Sequence, residues 1–189
     1  MKHKLYFLIF LLGTIGCSQE PTKAFNQLID EHFLQFIDTT AYKTGRLVQI
    51  PNDTTSTIHF EKLCVSVDPI ISQSEKLKGD ALTLIHEKRL KEFEELIINN
   101  NNLPIDTLDL SQIKSKGRYS LIQSGKQTDT ACSILAGNIK FYTPFLSSNK
   151  AILIFSVFDS PKSGFTQCWL FKKDKGYWQT FYKLEIERW

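Results

Sequence analysis

The chain of 189 residues carries 23 lysine and arginine residues against 20 acidic ones, a formal net charge of +3. This near balance, with no basic stripe along the sequence, excludes the electrostatic footprint of a nucleic-acid-binding protein. No two of the four cysteines have C-x-x-C spacing and no two histidines have H-x-x-x-H spacing, so the sequence predicts neither a metal site nor a cofactor.

An export signal occupies the start of the chain. Lys2 and Lys4 precede an apolar run at 5–12, and the short stretch 13–16 leads to Cys17. The run is shorter than the roughly 20 residues that span a bilayer. This segment resembles a bacterial lipoprotein signal, in which cleavage falls directly before the cysteine.

The resemblance implies that residues 1–16 are removed and that Cys17 is acylated on its sulfur and its new amino group. Three acyl chains exceed what stable anchoring needs, so Cys17 is expected to hold the protein on a membrane. Loss of Lys2 and Lys4 leaves 21 basic against 20 acidic residues, a net charge of about +1. Residues 17–23 are predicted to form a polar tether. A plain secretory signal with an incidental cysteine and an uncleaved anchor remain as alternatives.

Two amphipathic helices are predicted from apolar residues at three- and four-residue steps. The first runs from Thr22 to Asp38. The second runs from Asp80, which fits an N-cap, to Asn99. Each helix has one apolar stripe and is expected to cover a sheet.

Strand-like runs bounded by turn residues occur at 46–50, 58–67, 119–123, 137–143, 151–158, 165–173 and 177–187. The connections between the last four are too short for parallel crossovers, which predicts an antiparallel meander that the runs at 46–50 and 58–67 could extend. Strict alternation in the last run would place Trp178 and Leu184 on one core face. The predicted fold class is α+β: a single domain over 24–189 in which an antiparallel β-meander of four or more strands packs with two amphipathic helices on one face. A cone-shaped fold of the nuclear-transport-factor type is the alternative.

The C-terminal quarter carries aromatic residues, a Lys-Ala pair and the pattern Lys-Lys-x-x-Gly-x-Trp: Phe141, Phe145, Lys150-Ala151, Lys172-Lys173, Gly176, Trp178 and Trp189. In these features the chain resembles small, uncharacterised envelope lipoproteins of Bacteroidota. The resemblance implies a lipid-anchored envelope protein and brings no established activity. In that setting Ser18, next to the lipidated cysteine, implies the outer membrane.

Two sets of residues are candidate sites beyond Cys17. Phe165, Trp169 and Phe171 can share one strand face, which would form a stacking platform for a ligand if it were exposed and part of the core if a helix covered it. Asp-Thr followed by a small or apolar residue occurs four times, at Thr39, Thr54, Thr107 and Thr130. The resemblance implies O-glycosylation at these threonines, and local turn capping is the alternative.

The leading functional hypothesis is a non-catalytic, membrane-anchored envelope lipoprotein that binds a protein or glycan partner. An envelope hydrolase is the first alternative, with a site formed only in three dimensions around His59, Glu61 or His86. A periplasmic immunity protein is the second. The pairing of Cys64, Cys132 and Cys168 is left open, because exported cysteines can form disulfides or remain buried thiols.

Overall fold

One mixed sheet of seven strands, covered by three α-helices, makes up the part of the chain that is described. The computed structural model describes residues 19–38, 63–99, 105–117, 119–125, 134–160 and 162–189. The helices are α1 (Gln19–Asp38), α2 (Glu75–Glu87) and α3 (Lys91–Asn99). The strands are β1 (Leu63–Val67), β2 (Ser120–Gln123), β3 (Ile134–Phe141), β4 (Phe145–Leu146), β5 (Lys150–Ser160), β6 (Ser163–Asp174) and β7 (Tyr177–Arg188). The predicted α+β class is confirmed.

The sheet has the strand order β2-β1-β3-β5-β6-β7, and β4 pairs with the start of β5. The predicted meander is confirmed, because β3, β5, β6 and β7 pair antiparallel in that order. The run predicted at 58–67 does extend the sheet through β1, but β1 is parallel to both of its neighbours. The segment that contains α2 and α3 supplies the long crossover that a parallel pair needs. The run predicted at 46–50 lies outside the described residues.

Helices cover both faces of the sheet, and the expectation of a single covered face is wrong. Side chains alternate along β5, so that Leu153 and Phe155 join the core beneath α1, while Ile152 and Ile154 join the core beneath α2 and α3. The residues from Ala151 to Val157 are all buried. A strand that is apolar on both faces needs a layer on each side.

The first helix begins earlier than its apolar stripe predicts. Its first residue is Gln19, so residues 19–23, which the predicted tether included, are helical. Pro21 is tolerated there because the first four N–H groups of a helix have no partner within it. The stripe of Phe25, Phe33 and Phe36 faces the sheet and is fully buried, as its spacing predicts.

The second predicted helix is in fact two helices. α2 starts at Glu75, where the Ser74 hydroxyl accepts a hydrogen bond from the Leu77 N–H as an N-cap. It ends in a Schellman motif, in which the N–H groups of Arg89 and Leu90 donate to the carbonyls of His86 and Ile85. Arg89 holds the left-handed conformation that this motif requires, with φ of 57°. Because glycine usually fills that position, the break could not be predicted from an arginine there.

The last strand changes face partway along. Leu170 pairs with Tyr182 and Phe171 with Thr180, which leaves Phe181 as the extra residue of a β-bulge. Trp178 therefore belongs to the core beneath α1, and Leu184 to the core beneath α2 and α3. The prediction that both residues share one face is wrong for this reason.

Candidate functional site

The three aromatic residues predicted as a ligand face are core residues. Phe165 is 5% exposed, and Trp169 and Phe171 are fully buried. Helix α1 covers them: the Phe36 ring lies 5.1 Å from the Trp169 ring, and the His32 ring 4.8 Å from that of Phe171. The ligand-face interpretation is therefore corrected, and the alternative of packing beneath a helix holds.

A groove lies between the N-terminal half of α1, the turn that joins β4 to β5, and the β6–β7 hairpin. Its volume of about 580 Å³ falls within the range of small-molecule binding sites. Nine residues line it: Pro21, Lys23, Ala24, Gln27, Leu146, Ser147, Ser148, Lys173 and Trp178. The lining combines lysine, glutamine and serine side chains with apolar residues, an arrangement suited to a ligand that must be both held and oriented.

The β6–β7 hairpin forms one wall of the groove. Its two turn residues, Lys175 and Gly176, have φ of 49° and 90°, the left-handed values of a type I′ turn. Asp174 and Tyr177 pair across this turn. The tight turn fixes the positions of Lys173 and Trp178 on the two strands that it connects.

Helix α1 is tied to the hairpin by a set of hydrogen bonds. The Gln27 side-chain amide donates to the Gly176 carbonyl over 2.9 Å and to the Glu31 carboxylate over 2.6 Å. Glu31 also accepts a hydrogen bond of 2.7 Å from the Trp178 N–H. His32 Nε2 lies 2.9 Å from the Trp178 carbonyl oxygen, to which it donates. These bonds hold both walls of the groove in a fixed relative position.

The groups left to meet a ligand in the groove are chiefly donors. The Lys173 ammonium donates to Gln27 Oε1 over 3.3 Å and lies 5.1 Å from the Trp178 ring centroid, so further donor capacity remains. Trp178 is 3% exposed, and its Nε1 is buried without a hydrogen-bond partner in the described part of the chain. Lys23 and Ser148 are exposed. Since the Glu31 carboxylate is already engaged, the groove is complementary to an anionic, oxygen-rich ligand.

The neighbouring lysine of the same motif has a structural role. Glu92 of α3 forms ion pairs with Lys172 over 2.7 Å and with Lys150 over 3.0 Å. These two lysines hold the pKa of Glu92 below its usual range, Lys172 having the larger effect. Lys172 and Lys150 thus attach α3 to the sheet, while Lys173 points to the opposite face and to the groove.

Of the three residues proposed for a hydrolase, the described part of the chain contains His86 alone. His59 and Glu61 lie outside it, and His86 is an exposed residue whose Nδ1 is 3.2 Å from Glu94. His86 lines neither the groove nor the smaller cavity of about 20 Å³ beside Tyr142. No group of three or more metal-ligating side chains occurs among the residues that the structure describes.

A row of hydroxyl groups crosses the other face of the sheet. Tyr142 Oη lies 3.1 Å from Ser156 Oγ, which lies 2.7 Å from Thr166 Oγ1, and Thr166 donates to Glu187 over 3.4 Å. Ser156 and Thr166 are buried, with 4% and 0% exposure. The buried hydroxyls of Ser156 and Thr166 satisfy one another between the strands, and we assign them a structural role.

Thr107 alone of the four candidate glycosylation residues lies in the described part of the chain. It is exposed, and its backbone forms an isolated bridge with Ile70. Thr39, Thr54 and Thr130 lie outside the described residues, as does Cys17. The exposure of Thr107 meets the accessibility that a transferase needs, and its modification stays a prediction.

The two cysteines in the described residues differ in whether they form a disulfide. Cys168 is a free thiol in the core, and burial raises its pKa to about 12. Cys64, in β1, is disulfide-bonded.

Some residues of the groove belong to a motif that is recognisable in the sequence, and others do not. The motif that carries the C-terminal resemblance includes Lys173, Gly176 and Trp178, whereas the sequence pattern places Lys23 and Gln27 only on the polar side of α1.

No helix in the described residues has the length and apolar character needed to cross a membrane. No protein-family model, no characterised protein and no solved structure matches this chain.

Proposed function

We propose that the protein is a lipid-anchored, non-catalytic binding module of the cell envelope, in the outer membrane, whose groove takes an anionic, oxygen-rich ligand such as an acidic glycan. The observation that carries the binding role is a groove that presents Lys23 and Lys173 beside Trp178, whose buried Nε1 has no hydrogen-bond partner in the described residues. A buried donor without a partner costs free energy, and a ligand acceptor would recover it.

Two further observations support the envelope location. Residues 1–17 have the pattern of a lipoprotein signal. Cys64 is disulfide-bonded, and disulfides persist mainly in oxidising compartments outside the cytoplasm. The motif by which the chain resembles envelope lipoproteins also supplies Lys173 and Trp178 to the groove.

The anchor is tested by labelling with palmitate. We expect that Cys17→Ala abolishes incorporation of the label and moves the protein from the membrane fraction to the soluble fraction, because no other acyl chain would hold it. Cys168→Ala is the matched control, since that thiol is buried in the core and its loss leaves labelling unchanged. Label in the Cys17→Ala protein would contradict the proposed anchor.

The binding role is tested through the indole N–H resonance of Trp178. Titration with a uronic-acid oligosaccharide or a sugar phosphate is expected to shift this resonance downfield, because the orphan N–H gains an acceptor. The indole of Trp169, which already donates to Gln167 Oε1 over 2.7 Å, serves as an internal reference that does not move. The double variant Lys23→Gln, Lys173→Gln is expected to weaken binding about tenfold or more.

Two outcomes would contradict the binding role. One is a Trp178 resonance that neither anion moves, and the other is an equal response to a neutral oligosaccharide. The double variant Lys114→Gln, Lys162→Gln removes the same two positive charges. It is a suitable control because neither lysine lines the groove. It is expected to bind as the wild type does.

A further inference from the structure

The groove lies close to the point where the anchor would join the domain. α1 begins at Gln19, two residues after Cys17, and two residues at full extension reach at most about 7 Å. Lys23 follows four residues along the helix, a rise of about 6 Å. The first lysine of the groove therefore lies within about 15 Å of the sulfur that would carry the acyl chains.

The surface around this end of the molecule suits a lipid headgroup region. Lys175 is exposed at the tip of the β6–β7 turn, and Tyr177 next to it is 67% exposed. Tyrosine is favoured at the boundary between lipid and water, and exposed lysines are attracted to anionic lipids. Lys23 and Lys173 add two cations beside the turn, while Asp174 is an exposed carboxylate within it. Cationic groups thus outnumber acidic ones in this set.

The turn cannot move independently of the anchored helix. Gln27 of α1 donates to the Gly176 carbonyl, and Lys173 donates to Gln27. The Lys173 N–H donates to the Asn149 carbonyl over 2.8 Å, which ties the β4–β5 turn to the same end. An anchor at the start of α1 therefore brings the groove and both turns to the membrane together.

We propose that the groove binds the phosphate of an anionic lipid headgroup in the membrane that holds the anchor, with Lys23 and Lys173 as its cations and Trp178 Nε1 as the buried donor. This inference rests on the proposed function, because it needs an acylated Cys17 and a groove that binds anions. Tethering makes the second contact intramolecular, with an effective concentration on the order of millimolar, so a shallow groove of modest affinity is sufficient.

The test uses the mature, acylated protein in vesicles of phosphatidylcholine, with or without about 30% phosphatidylglycerol. The reactivity of each lysine toward an acetylating reagent is measured by mass spectrometry. We expect Lys23, Lys173 and Lys175 to react about tenfold more slowly when the anionic lipid is present. Lys162 is the internal reference, because it is exposed in the β5–β6 turn at the opposite end of the sheet and should react equally in both vesicles.

Variants separate the groove from general attraction to the surface. In the double variant Lys23→Gln, Lys173→Gln, we expect Lys175 to become as reactive on anionic vesicles as on neutral ones. The control Lys114→Gln, Lys162→Gln has the same net charge and should keep Lys175 protected. Trp178→Phe, which keeps an aromatic ring but removes the indole donor, should reduce the protection of Lys175 by several-fold.

Each contrary outcome has a distinct meaning. An acylated protein that floats with the vesicles, but whose Lys175 reacts equally on both, would overturn headgroup binding and leave the anchor and the groove intact. Equal protection of Lys175 by inorganic phosphate in detergent would overturn it in favour of a soluble anion. A protein without acyl mass that does not float would remove the proposed anchor, and the inference with it.

Discussion

Replacing Phe36 with alanine is expected to destabilise the protein by about 3–5 kcal/mol, measured as the change in free energy of unfolding in urea. Phe36 is fully buried at the centre of the core beneath α1. The centroid of its ring lies 4.7 Å from the ring centroid of Phe155, 5.1 Å from that of Trp169 and 5.8 Å from that of Phe141. The substitution would remove these contacts and leave a cavity between rigid rings, which cannot collapse to fill it.

The adjacent side of the same helix supplies the control. Leu34 is 36% exposed, so Leu34→Ala should change the free energy of unfolding by less than about 1 kcal/mol. Both substitutions introduce alanine into α1 and therefore affect helix propensity in a similar, small way. Equal destabilisation by the two substitutions would show that the packing of α1 on the sheet has been misassigned.

The helix α1 and the four-strand meander could be predicted because each rests on local pattern. Phe25, Phe33 and Phe36 recur at helical spacing, and the turns between the last strands contain Asn149 and Gly176. The break between α2 and α3 could not be predicted, because Arg89 takes a left-handed conformation that sequence normally assigns to glycine. Its cost is offset by two hydrogen bonds and by the packing of Leu90 near Ile85.

The face of a side chain was harder to predict than the strand that carries it. Strict alternation placed Trp178 with Leu184, and the bulge at Phe181 separates them. The exposure of Phe165, Trp169 and Phe171 was equally hard to predict, because the sequence pattern of an aromatic strand face is the same whether a helix covers that face or not. Only the position of α1 decides that these rings are core.

The groove depends on contacts between distant parts of the chain, which single-sequence patterns do not contain. Gln27 and Gly176 are 149 residues apart, and their hydrogen bond defines how the helix meets the hairpin. Lys172 and Lys173 are neighbours in sequence but lie on opposite faces of the sheet. Lys172 forms an ion pair with Glu92, and Lys173 lines the groove. Strand alternation explains this difference once the sheet is known to be covered on both faces.

The disulfide at Cys64 is the second feature with a large expected effect. If the sulfur of Cys17 is bound to lipid, it cannot form a disulfide, and because Cys168 is free we predict that Cys132 is the partner of Cys64. A bridge that closes this long loop is expected to stabilise the protein by about 4 kcal/mol through the entropy of the unfolded chain. Cys64→Ala and Cys132→Ala should each lose about that amount in urea unfolding.

The double variant distinguishes a bridge from two independent residues. With a shared disulfide, Cys64→Ala combined with Cys132→Ala should cost little more than either change alone, whereas independent effects would add. Additive losses would contradict this pairing. Cys168→Ala, combined with either variant, should be additive because Cys168 is a free thiol in β6, three strands away from β1 in the sheet.

Thiol counting tests the disulfide and the anchor in one experiment. In the folded protein no thiol should react with iodoacetamide, because Cys168 is buried and its pKa of about 12 keeps it protonated at neutral pH. Denaturation should expose the single thiol of Cys168, and reduction should then release Cys64 and Cys132. Of the four cysteines, Cys17 should remain unreactive throughout, because its sulfur would be a thioether. A fourth thiol after reduction would contradict the lipid anchor, and a peptide linking Cys17 to Cys64 would contradict both proposals, since one sulfur cannot serve both bonds.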